Sequence, residues 1–292
     1  MYKTLADAVA DAEATGRTLA RAALELEAQD QGRPVEEIRD ALRRALVVMR
    51  GAVGQGMTGD LRSASGLVGG DAAKLREGPP GPLAGTLFRD VLARALAVQE
   101  VNAAMGVIVA APTAGGAGVL PAVLTGLAAA RGIADDLVVD ALATAGLIGA
   151  VVAERASLSG AEGGCQAETG AAAAMAAGAA VEMLGGTPTQ ASHGVSLAMQ
   201  GTLGLVCDPL GGLVELPCVF RNATGAAIAL AAVEMALAGI TFAIPADEVI
   251  DTMGEIGRSM DVRYRVTAGG GLAATPTGRR LARERLVQIK RG

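Results

Sequence analysis

The chain has 292 residues, of which 51% are hydrophobic and only 2% aromatic, with 41 Gly and no Trp. That length buries a sizeable core as one large domain or two small ones, and a core made of Ala and Gly calls for helices that cross at close range. The formal net charge of −5 and a pI near 5.1 argue against a nucleic-acid partner, because phosphate binding needs a basic face.

From the N-terminus, MYKTLADAVADAEATGR is acidic and has no apolar h-region, so no signal peptide is expected. The first 50 residues read as two amphipathic helices. In the second, Pro34 stands near the start and Glu36 and Glu37 fill the first turn. Val35, Ile38, Leu42, Ala45, Leu46 and Met49 then recur at helical spacing until Gly51 to Gly56 break the pattern. This gives an N-terminal helical hairpin over 1–56, packed on a body over 57–292. Residues 57–84 are Gly- and Pro-rich without a sustained period and read as a loop, whose Ser65, Gly66, Gly69, Gly70, Asp71 and Lys74 are placed to line a site.

Helices are then predicted at about 85–105, 118–131, 133–155, 167–185, 187–205, 217–241 and 245–259. The start at 187 is the clearest: Thr187 as N-cap, Pro188 at the first helical position and Gln190 three residues on, as in a capping box. Few runs alternate with period two. The expected fold class is all-α, a single helical domain with ligand-bearing loops between the helices. The mean hydropathy of +0.40 raises a membrane reading. However, the 30 uncharged residues between Glu100 and Arg131 contain Pro112, Pro121 and Gly115-Gly116-Ala117-Gly118, which should interrupt a spanning helix, so no membrane is expected. The terminal basic residues Arg279, Arg280, Arg283, Arg285, Lys290 and Arg291 alternate with apolar ones, as on a solvated helix face.

The unusual residues fall in the loops. Cys165 follows Glu162-Gly163-Gly164, Cys207 opens Cys-Asp-Pro-Leu-Gly-Gly, and Cys218 closes Leu-Val-Glu-Leu-Pro-Cys. Three cysteines cannot all pair within one chain, and a reducing, cytoplasmic compartment would keep them as thiols. Three thiolates need a fourth ligand to complete structural zinc. They can hold three corners of a [4Fe–4S] cluster with one iron open, or they can be small buried hydrophobes.

The segments Gly163-Gly164-Cys165-Gln166-Ala167-Glu168, Cys207-Asp208-Pro209, and Glu215-Leu216-Pro217-Cys218 through Arg221-Asn222 resemble signature segments of the iron–sulfur-dependent L-serine dehydratases. So do Ala111-Pro112-Thr113-Ala114-Gly115-Gly116 and Gly270-Gly271-Leu272-Ala273. The resemblance covers roughly residues 60 to 280. It implies an all-α catalytic domain with Cys165, Cys207 and Cys218 on a [4Fe–4S] cluster, turning L-serine into pyruvate and ammonia without pyridoxal phosphate. Single-chain members carry a further module with a Ser-Ser-Ser-His-Thr signature, absent here, and some end in a cysteine where this chain ends Gln288-Ile289-Lys290-Arg291-Gly292. The pattern resembles the α subunit of the two-chain type, which implies a separate β subunit and a hetero-oligomer.

Other candidates have bland alternatives. His193, the only histidine, shares a helix face with Ser196 and Gln200 and reads either as a proton donor or acceptor at the site or as a core histidine. Lys74 reads as a base or carboxylate partner, or as a surface lysine. The Thr113–Gly118 turn before a helix start, with Gly115 and Gly116, suits a substrate carboxylate. Ser65 and Asn222 are further substrate-binding candidates. Arg221 reads as a carboxylate partner, or as a structural ion pair with Glu215 or Asp208. An iron–sulfur L-cysteine desulfidase and a non-catalytic cluster carrier are the rival functions.

Overall fold

Helix follows helix from Leu5 to Ile289 in the computed structural model, which describes residues 2–79 and 85–289. The chain is all-α, and there is no strand among the described residues. In order, α1 (Leu5–Thr15), α2 (Leu19–Gln31) and α3 (Val35–Gly56) precede a short α4 (Asp71–Glu77). Then come α5 (Thr86–Ala103), α6 (Val119–Arg131), α7 (Asp135–Arg155), the single turn α8 (Gly160–Gly163), α9 (Ala171–Met183), α10 (Pro188–Met199), α11 (Cys218–Leu237), α12 (Ala246–Ser259) and α13 (Pro276–Ile289).

The N-terminal region differs from the expected hairpin of two helices. It holds three, because Gly16 adopts the left-handed conformation (φ 63°) and its N–H caps the carbonyls of Ala12 and Glu13, ending α1. The third helix runs through Gly51 and Gly54 to Gly56 instead of stopping at Gly51. The expected 57–84 loop contains α4; its residues 80–84 lie outside the described residues, as do Lys290 and Arg291. Downstream, the predicted helices correspond to observed ones, and the capping box at Thr187 and Gln190 is formed.

The core is organised around α9. Residues Ala171 to Val181 of this helix are all buried, and α6, α7, α10 and α11 pack around it. Its Ala side chains let the neighbours approach and lose no rotamer freedom on burial. The first helices lie over this body: α1 against α10 and α12, α2 against α7, α3 against α5 and α7. Three segments, Ala114–Arg131, Asp135–Arg155 and Cys218–Leu237, are long and apolar enough by composition to cross a membrane; in the fold half or more of each is buried against protein. Pro121 does not interrupt α6. It is the third residue of that helix, where an N–H has no intrahelical partner to lose.

Candidate metal and substrate site

Two helix starts and one loop deliver the cysteines. Cys165 precedes a single π turn (Gln166–Gly170) that leads into α9. Cys218 is the first residue of α11, where the positive end of the helix dipole favours a thiolate. Cys207 lies in the α10–α11 connection, fixed by an isolated bridge to Arg265: its N–H donates to the Tyr264 carbonyl at 2.8 Å, and its carbonyl accepts from Val266 N–H at 2.9 Å. Val266 lines the cavity beside it at φ 68°, a strained conformation for a β-branched residue of the kind that clusters at functional sites.

The three thiols are 2%, 2% and 5% exposed. The ligand atoms of Cys165, Glu168 and Cys207 all lie within 4.8 Å of one another, a buried group able to hold a metal ion. Cys218 stands outside that tight group but lines the same cavity as Cys207 and Glu168, a space of about 410 Å³ walled also by Thr113, Gly115, Ser159, Gly160 and Val214. The Cys165 thiol is lowered to about 7, first by its hydrogen bond with the Cys207 thiol, then by Thr169 and the Arg221 charge, against the effect of burial. Cys207 is pushed up by the same thiol pair and by burial. Burial, with the Cys165 and Glu168 charges, pushes Cys218 up to about 12. One anion thus forms readily, and the remaining thiols need a cation to ionise beside it.

The walls are locked from behind. Asn222, fully buried, accepts from Gly118 N–H at 2.9 Å and donates to the carbonyls of Gly115 (2.7 Å) and Cys218 (2.9 Å). It ties the Thr113–Gly118 turn to the start of α11. Arg221 pairs with Asp208 at 2.8 Å and donates to the Val206 carbonyl. Asp208 in turn accepts from Leu272 N–H at 2.6 Å, so the Gly270–Ala273 segment braces the Cys207 loop. Ser65 gives both its N–H and its hydroxyl to the Glu215 carboxylate, which holds the 57–70 segment against the approach to Cys218.

Of the sequence candidates, the structure brings Thr113, Gly115, Cys165, Cys207 and Cys218 together. Ser65, Gly116, Arg221 and Asn222 stand behind the wall and hold it. Gly118 N–H is taken by Asn222, and Arg221 has the structural ion-pair role with Asp208. Two candidates are not brought to the cavity. Lys74 is 74% exposed on α4 and pairs with Asp71. His193 lies in a separate hollow lined by α1 and the 242–246 segment, where its Nδ1 accepts from Phe242 N–H at 3.4 Å. The face shared by His193, Ser196 and Gln200 is unevenly covered and does not border the cavity: Ser196 is buried and Gln200 exposed, because α10 packs against α9, α11, α1 and α12. Glu168, three residues after Cys165, lines the cavity although the sequence does not single it out as a site residue.

Residues 14–273 match the family described as serine dehydratase alpha chain. A probable L-serine dehydratase alpha chain of Bacillus subtilis (strain 168) is 51% identical over 253 residues, 85% of this chain and 83% of that protein. The L-serine dehydratase alpha chain of Peptoniphilus asaccharolyticus is 41% identical over 267 residues, 91% of each. An L-serine dehydratase of Streptomyces coelicolor is 44% identical over 263 residues, which are 87% of this chain and 57% of that longer protein.

Proposed function

The chain belongs to the serine dehydratase alpha chain family, and from that premise we propose that it is the cluster-bearing subunit of an L-serine ammonia-lyase that converts L-serine to pyruvate and ammonia. The observation that carries the reading is that three buried cysteines from separate segments gather at one place: Cys207 and Cys218 line the cavity, and the Cys165 thiol lies within 4.8 Å of the Cys207 thiol. The donor set fits an iron–sulfur centre: soft thiolates, two of them at or just before helix starts, in a water-poor recess. Cys165, Cys207 and Cys218 would hold it. Bound there, a [4Fe–4S] cluster would supply an iron with an exchangeable position, a Lewis acid for the departing serine hydroxyl.

The chain's own residues provide the rest of the setting. Leu158, Pro209, Val214 and Val266 wall the cavity and limit water around a bound amino acid. Thr113 Oγ1 donates to Glu168 Oε1 at 2.8 Å and fixes the one carboxylate among the lining residues. Asn222, Arg221 and Ser65 keep the walls in register. Neither His193, which lines a separate hollow, nor Lys74, which is exposed and paired with Asp71, lines the cavity, so neither is proposed as the acceptor for the Cα proton. Anaerobic purification with iron and sulfide analysis, followed by pyruvate assay with the β chain present, tests the proposal. A protein that neither binds iron and sulfide nor forms pyruvate would refute it.

A further inference from the structure

Glu168 is the polar group in the cavity with no role in the elimination as described. It sits in the π turn after Cys165, a distortion frequent at functional sites. Thr113 Oγ1 holds Oε1 at 2.8 Å, while Oε2 is 3.6 Å from Cys207 Sγ. Two loops are cleared for this carboxylate. A Cβ on Gly160 would stand 2.3 Å from Oε2 and 3.3 Å from Cys207 Sγ, and a Cβ on Gly115 would stand 2.8 Å from Oε1. Packing therefore fixes the carboxylate on both sides and turns Oε2 toward the thiols.

Charge makes the placement informative. No lysine or arginine pairs with Glu168 among the described residues, and the nearby Arg221 is engaged by Asp208 and the Val206 carbonyl. A partly buried carboxylate beside three thiols that become anions on metal binding is unfavourable unless a cation lies among them.

We propose that Glu168 is a fourth protein ligand of the metal centre, its Oε2 supplying an exchangeable oxygen donor beside Cys165 and Cys207 that substrate would displace. This rests on the reading that Cys165, Cys207 and Cys218 hold a cluster. A carboxylate oxygen is a harder donor than a thiolate, so its exchange for the serine hydroxyl replaces one oxygen donor with another. Thr113 keeps the displaced carboxylate hydrogen-bonded. No redox step is involved.

The test uses holoprotein loaded under nitrogen with 57Fe and sulfide, as wild type, Glu168→Gln and Thr113→Val, each checked for folding by circular dichroism and melting. In the resting state the Mössbauer signal of the iron that differs from the others should shift in Glu168→Gln and, by less, in Thr113→Val. With saturating L-serine the three spectra should converge. Identical resting spectra for wild type and Glu168→Gln would overturn the ligand role, as would a difference that persists unchanged with serine. A second arm needs no cluster: Co(II) alone, titrated into apoprotein, should bind about tenfold or more weakly to Glu168→Gln, and equal affinity would count against the proposal. Wild type that takes up no iron or sulfide, yet binds Co(II) with this dependence on Glu168, would sink the cluster reading and leave the ligand role standing.

Discussion

Among single residues, the three buried free cysteines are the proposed cluster ligands. Cys165→Ala, Cys207→Ala and Cys218→Ala should each lose the cluster's visible absorption and nearly all bound iron; a mutant retaining the full band would remove that cysteine from the ligand set. Asn222 acts differently. It bonds three buried backbone groups, on Gly118, Gly115 and Cys218; the Gly115 carbonyl keeps Gln99 Nε2 at 3.5 Å and the Cys218 carbonyl keeps its place in α11, so Asn222→Ala strips Gly118 N–H of its side-chain acceptor and should cost about 1–3 kcal/mol in unfolding free energy. Urea denaturation of the apoprotein checks this, and an unchanged midpoint would deny the bracing role. That Cys207, Cys218, Thr113 and Gly115 line one cavity was half legible: thiols and a glycine turn at loop–helix junctions marked candidates, but the same residues also read as small buried hydrophobes and an ordinary turn. Glu168 was not, since a glutamate entering a helix looks like any solvated one until Gly115 and Gly160 are seen to close on it. His193 misled for the opposite reason. Its spacing with Ser196 and Gln200 defines a helix face, but which neighbour covers that face is a tertiary fact.

At the scale of elements, one device recurs. Peripheral helices are pinned to the body by carboxylates that accept from their first N–H groups. Asp247 of α12 takes Leu5 and Ala6 at the start of α1. Glu182 of α9 takes Leu19 and Ala20 at the start of α2, with the Thr144 hydroxyl. Glu100 of α5 takes Gly70, Asp71 and Ala72 at the start of α4. Each joins an orphan donor set to a favourable dipole end. Glu182→Ala should therefore cost about 0.5–2 kcal/mol and speed amide exchange in α2 before the core opens; uniform protection in both proteins would contradict it. Burial pushes the Glu100 carboxyl above its ordinary value of 4.5, against the pull of its three N–H donors. A group raised in the folded state gives stability that is present below the unfolded value and lost as pH rises through the folded one. Wild type should accordingly hold a larger stability advantage over Glu100→Gln at pH 4 than at pH 8, and an advantage independent of pH would contradict the shift. This device also explains why α4 escaped the sequence. Seven residues in a Gly-rich stretch show no period, and their cap lies about thirty residues downstream. The longer helices were legible because their apolar spacing and caps are local.

For the whole molecule, the Ala-rich centre is closely packed. At Gly178 of α9 a Cβ would stand 2.5 Å from Ile148 Cδ1 and 2.9 Å from Val195 Cγ2, so three helices meet there with no slack. What the cavity lacks is a proton acceptor for substrate Cα beyond the metal-facing groups. The Streptomyces coelicolor relative, of which this chain matches 57%, carries additional chain, and relatives of the present length are named alpha chains. The proposed reading therefore requires a second chain. Purified alone and loaded with iron and sulfide, this chain should form little pyruvate from L-serine; adding the β chain should restore turnover with no change in iron content. Equal activity with and without the β chain would defeat the two-chain assignment. The same pair tests the leaving group. Thr113, Gly115 and Val214 are among the residues that line the cavity. The extra methyl of L-threonine should lower kcat/KM by about 10–200-fold, the discrimination a single methyl supports in an apolar pocket. L-Cysteine offers a thiolate to a centre that already selects thiolates, so it should inhibit rather than turn over. Sulfide released from L-cysteine faster than pyruvate forms from L-serine would reverse that order and make carbon–sulfur cleavage the reaction of this site.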